Sequence, residues 1–145
     1  MNREDGLAGE RVISGVDDMV ARIRSARAAA VAASLPLFVN ARTDFFLQND
    51  PALDDVSRVA AVCDRAAAYS EAGASGLFVP GIREPAHIAE VCAATSLPVN
   101  VMMMASLPPR AELARLGVAR ISHGPGPYRA AMQFLEQAAR EALAS

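Results

Sequence analysis

Short apolar runs alternate along the chain with longer segments in which apolar residues recur every three or four positions. The first long segment starts at Val16, ends near Ala33 and predicts an amphipathic helix. The apolar run that begins at Leu35 is too short for a helix and contains the β-branched Val39, which favours a buried strand. Similar runs predict further strands at residues 74–79, 97–103 and 118–122.

Proline and glycine mark the boundaries of the elements between these strands. Asp50 and Pro51 have the pattern of an N-cap followed by the first helical residue, and they predict a long helix that ends at Glu71. Pro85 is expected to open a shorter helix, and Pro109 a brief one before the last strand. An amphipathic helix is predicted after that strand. Its inner side would carry Tyr128, Met132, Leu135 and Leu143.

The predicted fold class is α/β, a single domain over residues 1–145. Residues 1–15 are polar and contain glycine, which predicts a loop, although Ser14 and Asp17 have the spacing of a capping box at the start of the first helix. The pattern is therefore a loop, a leading helix and four strand-helix units, which implies a parallel sheet with right-handed crossovers. Four such units build either an open sheet or part of an eight-unit barrel, since a complete barrel normally takes ~250 residues.

Composition excludes several classes of protein. The 145 residues are 52% hydrophobic with a net charge of -2, so the chain is expected to form a core and not to bind nucleic acid. The sequence contains no lysine, which excludes Schiff-base aldolase chemistry and a P-loop in this chain. Cys63 and Cys92 lack metal-binding spacing, and no apolar stretch is long enough to span a membrane. We therefore expect a cytoplasmic protein with reduced cysteines and no membrane partner.

The strand that begins at Leu35 ends in a polar segment, Asn40-Ala-Arg-Thr-Asp44. In barrels of alternating strands and helices, reacting groups lie at the carboxyl ends of the strands. Arg42 offers a planar fork that can bind a carboxylate or a phosphate through two hydrogen bonds. The alternative is that Arg42 and Asp44 pair only with each other and finish the strand.

Six motifs, in this order, resemble the isocitrate lyase/phosphoenolpyruvate mutase superfamily, and together they extend over nearly the whole chain. They lie at residues 4–6, 16–24, 40–44, 71–81, 97–100 and 116–122. The resemblance implies a (β/α)8 TIM barrel of which this chain is the C-terminal portion. It also implies an enzyme that binds Mg²⁺ and cleaves or rearranges C–C or P–C bonds in small 2-oxo acids or phosphonates through an enolate-like species.

The resemblance also implies roles for individual residues. Arg42 matches the arginine that holds the substrate carboxylate or phosphonyl group, and Asn100 matches an asparagine that donates a hydrogen bond to the substrate. Glu4 matches a glutamate of the Mg²⁺ site, which usually acts through bound water. These groups suit the chemistry because an enolate oxygen must be stabilised by a metal and by fixed donors.

Two departures from the family pattern change the expected activity. The stretch from Leu7 to Ser14 has no cysteine, lysine or histidine, so a cysteine-dependent lyase is disfavoured and the short-loop, phosphonomutase-like branch fits better. The chain also begins at the close of the family's third strand, so the metal-binding Asp-x-Asp segment is not upstream of Glu4. We therefore expect the isolated chain to lack the main metal ligands and to associate with itself.

His123 is a further candidate, because it follows a late strand and precedes a helix, where barrels often bind phosphate. The alternative is an ordinary loop histidine beside helix-starting prolines. Three functional hypotheses follow: a Mg²⁺-dependent lyase or mutase, a truncated and inactive half-barrel that forms a homo-oligomer, or a module that binds a small anion without turnover. A small carboxylate or phosphonate is the expected ligand in the first and the third.

Overall fold

The computed structural model describes residues 1–6 and 12–144. Among these residues one parallel sheet has the order β1-β2-β3-β4-β5, with the strands in chain order. The strands are β1 (Asn2–Glu4), β2 (Asn40–Arg42), β3 (Gly76–Val79), β4 (Val99–Met102) and β5 (Val118–Ser122). The helices are α1 (Val16–Ala32), α2 (Phe45–Gln48), α3 (Asp55–Glu71), α4 (Pro85–Ala93), α5 (Arg110–Arg115) and α6 (Gly126–Ala144). The α/β class and the parallel arrangement predicted from the sequence are confirmed.

The prediction of a loop over residues 1–15 is wrong at its start, because residues 2–4 form strand β1. This strand pairs with β2 in parallel register, Asn2 opposite Asn40 and Glu4 opposite Arg42. Two of its three residues are exposed, so it has no apolar alternation that would reveal a strand. Backbone pairing at the sheet edge, which the local pattern does not encode, decides its conformation.

One predicted helix start and one predicted cap are also wrong, although α1 does start at Val16 as expected. Helix α3 begins at Asp55, and its N-cap is Asp54, whose carboxylate accepts a hydrogen bond from the Ser57 amide at 2.8 Å. Asp50 instead caps a preceding turn, where its carboxylate accepts from the amide of Ala52. No capping box forms before α1, because Gly15 is the N-cap and its helix has no side-chain cap.

The hydrophobic core lies between one face of the sheet and the layer of helices α1, α3 and α4. Alternate strand residues face this layer, because successive side chains of a strand point to opposite faces. The core includes Met19, Ile23, Val59, Val62, Tyr69, Leu77, Val79, Ile88, Val91 and Val101, all buried.

The other face of the sheet carries a row of register partners: Glu4, Arg42, Phe78, Asn100 and Arg120. Residues at one level of adjacent parallel strands project to the same side, so the polar members of this row share a surface. The pairing of β4 with β5 shifts register between Val99 and Asn100, where β5 has one extra residue, Ala119, so that Asn100 lies opposite Arg120. This face, without a helix layer among the described residues, is where the predicted site residues lie.

The last helix, α6, departs from the predicted packing. Its predicted inner residues Tyr128, Met132, Leu135 and Leu143 are all exposed, Leu143 by 89%. No described residue of α6 is buried. The predicted helix is therefore confirmed, but the apolar side of α6 does not pack against the sheet of this chain. Among the described helices, none combines the length and the apolar character that a membrane crossing requires.

Candidate functional site

Arg42 is the centre of the site, at the carboxyl end of β2. Its Nε donates to Asp44 Oδ1 at 2.7 Å, and its Nη2 donates to Asp44 Oδ2 at 3.0 Å, so the two side chains form a bidentate pair. Nη1 lies 2.7 Å from Glu4 Oε2. The predicted pairing of Arg42 with Asp44 is thus present, and the predicted metal residue Glu4 contacts the same guanidinium.

These contacts hold Arg42 as a cation. Burial acts to lower the pKa of its guanidinium, but the hydrogen bonds and charge of Asp44, together with Glu4 and Asp5, outweigh burial and raise that pKa. A guanidinium has five N–H groups, and the contacts with Asp44 and Glu4 use only some of them. The remaining N–H groups are available to an anionic ligand, and the half-exposed Glu4 is a contact that a ligand carboxylate could displace.

A cavity of about 590 Å³ opens beside Arg42, on the side of the sheet opposite the layer of α1, α3 and α4, and the first turn of α6 borders it. Phe78 contributes to its wall, and its ring centroid lies 5.8 Å from Arg42 Cζ, within the range of a cation–π contact. His123 and Arg129 line the same cavity, next to a run of methionines at 102–104. The structure therefore brings the predicted residues Arg42 and His123 to one cavity, and adds Arg129, which the sequence did not single out.

Asn100 lies in the same row of the sheet as Arg42, two strands away, but it does not line this cavity. Its side chain is almost fully buried, and its Oδ1 has no hydrogen-bond partner among the described residues. A buried amide oxygen without a partner is costly, so this position is suited to a donor from a ligand or from another part of a complete site.

A second polar cluster lies directly behind Arg42 and centres on the fully buried Asp5. Its Oδ1 accepts from the backbone amide of Asp44 at 3.0 Å. Its Oδ2 accepts from Arg65 Nη1 at 3.1 Å and from the Tyr69 hydroxyl at 3.0 Å. Burial and the neighbouring Asp5 carboxylate raise the pKa of Tyr69, so its hydroxyl stays protonated and donates to Asp5.

The sequence did not identify this cluster as functional. Arg65 and Tyr69 are four residues apart, so they lie on one side of α3, where the other buried residues are apolar except Arg58. A polar pair within the buried stripe of a helix was the signal that could have drawn attention to them. Nothing in the local pattern indicated that Asp5 was their partner, since 60 or more residues separate them along the chain.

The described residues do not by themselves form a site for Mg²⁺. That ion requires near-octahedral coordination by several oxygen ligands. Both carboxylate oxygens of Asp44 contact Arg42, and both oxygens of Asp5 are engaged in the buried cluster. Within residues 1–6 and 12–144, no three His, Cys, Asp or Glu side chains are grouped so that they could hold a metal ion. The metal role of Glu4 therefore stays a prediction that requires ligands from elsewhere.

Solved structures share this fold. A Burkholderia cenocepacia J2315 protein provisionally named a phosphonomutase is 48% identical and superimposes with a TM-score of 0.91, over 97% of this chain and 56% of its own. A 2,3-dimethylmalate lyase of the phosphoenolpyruvate mutase/isocitrate lyase superfamily is 25% identical, with a TM-score of 0.72 over 97% of this chain and 50% of its own. The predicted partial TIM barrel is confirmed by these similarities, in which this chain corresponds to about half of each barrel.

Among curated proteins, the uncharacterized protein Rv1998c of Mycobacterium tuberculosis is 39% identical over 104 residues, which are 72% of this chain and 38% of that protein. The chain thus spans well under half the length of this relative. A match to the family model of phosphoenolpyruvate phosphomutase extends over residues 1–143, nearly the whole chain. The chain therefore belongs to the phosphoenolpyruvate phosphomutase family, within the superfamily that its motifs resemble.

Proposed function

We propose that this chain supplies the anion-binding side of a lyase or mutase site, with Arg42 as the group that binds a small carboxylate or phosphonate. The observation that carries the proposal is the geometry of Arg42, which Asp44 holds by two hydrogen bonds at the edge of a cavity. A guanidinium held in this way loses little side-chain entropy when it binds a planar anion. The wall of the cavity, which includes Phe78, would reduce the access of water to that contact.

His123 and Asn100 are proposed as supporting residues. His123 lines the cavity and could donate a second hydrogen bond to an anion held by Arg42. The buried amide of Asn100 is proposed to stabilise the oxygen of an enolate-like species in a complete site. Bond cleavage or rearrangement of a 2-oxo acid or phosphonate would then depend on groups beyond the described residues, because these residues lack a metal cluster. We also propose a cytoplasmic location, in keeping with the free thiols of Cys63 and Cys92.

Thermal unfolding with oxalate tests the anion site. Oxalate is a small planar dicarboxylate, and at about 100 times its Kd we expect it to stabilise the chain by ~2.7 kcal/mol in the absence of Mg²⁺. Glu4→Gln should bind oxalate at least as tightly, because the variant removes a carboxylate that competes for Arg42. A shift that requires Mg²⁺, and that Glu4→Gln abolishes, would instead assign Glu4 to a metal site. The absence of any shift would contradict the proposal.

We further propose that the chain forms a homo-oligomer through α6. In β/α folds, the helix that follows a strand packs against the sheet, yet every described residue of α6 is exposed. A cleft of about 320 Å³ remains beside β5 and α5, lined in part by Leu113, Val118 and Ile121. Exchange of α6 between two copies would cover both its apolar side and this cleft.

Size-exclusion chromatography with light scattering tests this assembly. The wild-type chain is expected to elute as a dimer, and Leu135→Glu to elute as a monomer, because a charge in the exchanged apolar side opposes its burial. Gln133→Glu adds the same charge to α6 outside the stripe of Tyr128, Met132 and Leu135, and should remain dimeric. A monomeric wild-type chain at micromolar concentration would contradict this assembly.

A further inference from the structure

The buried cluster behind Arg42 links three segments that are distant in the sequence. Besides the side-chain contacts of Asp5, its backbone amide donates to the carbonyl of Arg42 at 3.2 Å, and its carbonyl accepts from the amide of Ser14 at 2.8 Å. Asp5 therefore contacts the backbone on both sides of Thr43, through the Arg42 carbonyl and, by its Oδ1, the Asp44 amide. These two hydrogen bonds connect Asp5 directly to the end of β2.

Arg65 extends this link to the helix layer. Its Nη1 donates to Asp5 and, at 2.9 Å, to the oxygen of Tyr69, while its Nη2 donates to the Ser14 carbonyl at 2.8 Å. Its Cζ lies 5.2 Å from the ring centroid of Phe45, the residue that follows Asp44. One side chain thus contacts the segment after β1 and the segment after β2.

A contribution to folding stability alone does not explain why Asp5 and Arg65 are buried together. Burying an aspartate and an arginine costs desolvation free energy that their attraction often only offsets, and well-packed apolar residues of similar volume would serve stability as well. The hydrogen bonds do add directional constraints, because each oxygen of Asp5 has a specific partner. Asp5 holds the backbone of Asp44, and the Asp44 carboxylate in turn accepts the two hydrogen bonds that orient the Arg42 guanidinium.

We infer that Asp5, Arg65 and Tyr69 are positioning residues for the anion site, which fix Asp44 and thereby the direction of the Arg42 fork. This inference rests on the proposed role of Arg42 in binding a carboxylate or phosphonate. None of the three residues lines the cavity beside Arg42, so each would act on a ligand only through Asp44. Loss of the cluster should therefore leave Arg42 present and charged but poorly oriented.

The test compares Tyr69→Phe and Arg65→Lys with the control Val62→Ala, which removes buried volume from the same helix without touching Asp5. Arg65→Lys keeps the charge but not the fork that contacts Asp5, Tyr69 and Ser14 together. At a temperature where every variant is folded, we expect both cluster variants to bind oxalate about tenfold more weakly than wild type. Val62→Ala should keep the wild-type affinity for oxalate, even if its free energy of unfolding falls as much as that of the cluster variants.

A second measurement does not depend on any ligand. The Nε–H signal of Arg42 in a nitrogen–proton correlation spectrum, identified by its loss in Arg42→Lys, reports the hydrogen bond to Asp44. It should shift and broaden in both cluster variants and stay unchanged in Val62→Ala. An unchanged signal in the cluster variants would overturn the inference, as would wild-type oxalate affinity. If wild type itself does not bind oxalate but the signal responds as expected, the anion-binding proposal fails and the positioning of Arg42 stands.

Discussion

Replacement of Arg42 by glutamine is expected to weaken oxalate binding by about a hundredfold, the largest functional effect expected of a single substitution here. The glutamine removes both the charge and the fork, and it also leaves the nearly buried carboxylate of Asp44 without its bidentate partner. Arg42→Lys keeps the charge toward Asp44 and Glu4 but cannot present two parallel N–H groups, so about a tenfold loss is expected for it. Titration calorimetry below the unfolding temperature of each variant measures both effects.

Arg22→Gln is the matched control for this comparison. Arg22 is exposed on α1, in the helix layer and not on the face that carries Arg42, and its loss changes the net charge by the same amount. Oxalate affinity should therefore be unchanged in Arg22→Gln if binding depends on the fork of Arg42. Equal losses in the Arg22 and Arg42 variants would show that oxalate responds only to the overall charge, and would contradict the assignment of Arg42.

Replacement of Gly81 by alanine is expected to be the most destabilising of the small substitutions considered, by about 3 kcal/mol. Gly81 follows β3 with φ of +92°, a conformation that residues with a side chain rarely adopt. A Cβ there would lie 2.7 Å from the carbonyl carbon of Phe46 and 2.8 Å from the amide nitrogen of Leu47, both in the backbone of α2. Backbone atoms cannot rotate away as a side chain can, so α2 would have to shift.

Calorimetric unfolding should show this as a fall in Tm of roughly 10 °C, given the usual scaling for a chain of this size. Gly126→Ala is the control, because a Cβ at Gly126 meets no heavy atom within 4 Å and lies in a helix, where alanine is favourable. Its Tm should match or slightly exceed that of wild type. A Tm of Gly81→Ala within a degree of the wild-type value would contradict the close approach of α2 to this turn.

The apolar periodicity determined where most elements lie. It predicted strand β5 at 118–122 with both ends as observed, and helix α4 starts at Pro85 as expected, because proline is pre-organised for the first helical turn. The predicted strand that includes Val39 contains β2, and the polar residues that end it do carry the Arg42–Asp44 pair. These features depend on neighbouring residues, so they can be deduced from local pattern.

Other features depended on contacts between distant residues. Strand β1 exists because its backbone pairs with β2. Helix α3 has Asp54 and not Asp50 as its N-cap, because two possible caps compete in the same segment. The cavity brings Arg42 and His123 together only because β2 and β5 belong to one sheet. The residues that meet in β1 and β2, and in the cavity, are far apart along the chain, and the start of α3 has two possible caps close together. The local sequence pattern does not show which residues meet or which cap is used.

The sequence by itself determined the α/β class, the alternation of strands and helices, and the chemistry available at the strand ends, since periodicity and residue type are local properties. Only the tertiary structure decided which charges meet. It placed Glu4 and Asp44 on one guanidinium and buried Asp5 between Arg65, Tyr69 and the Asp44 amide. It also left the apolar side of α6 exposed. Pairing and burial are set by the packing of the whole sheet and its helices, and no short stretch of sequence encodes them.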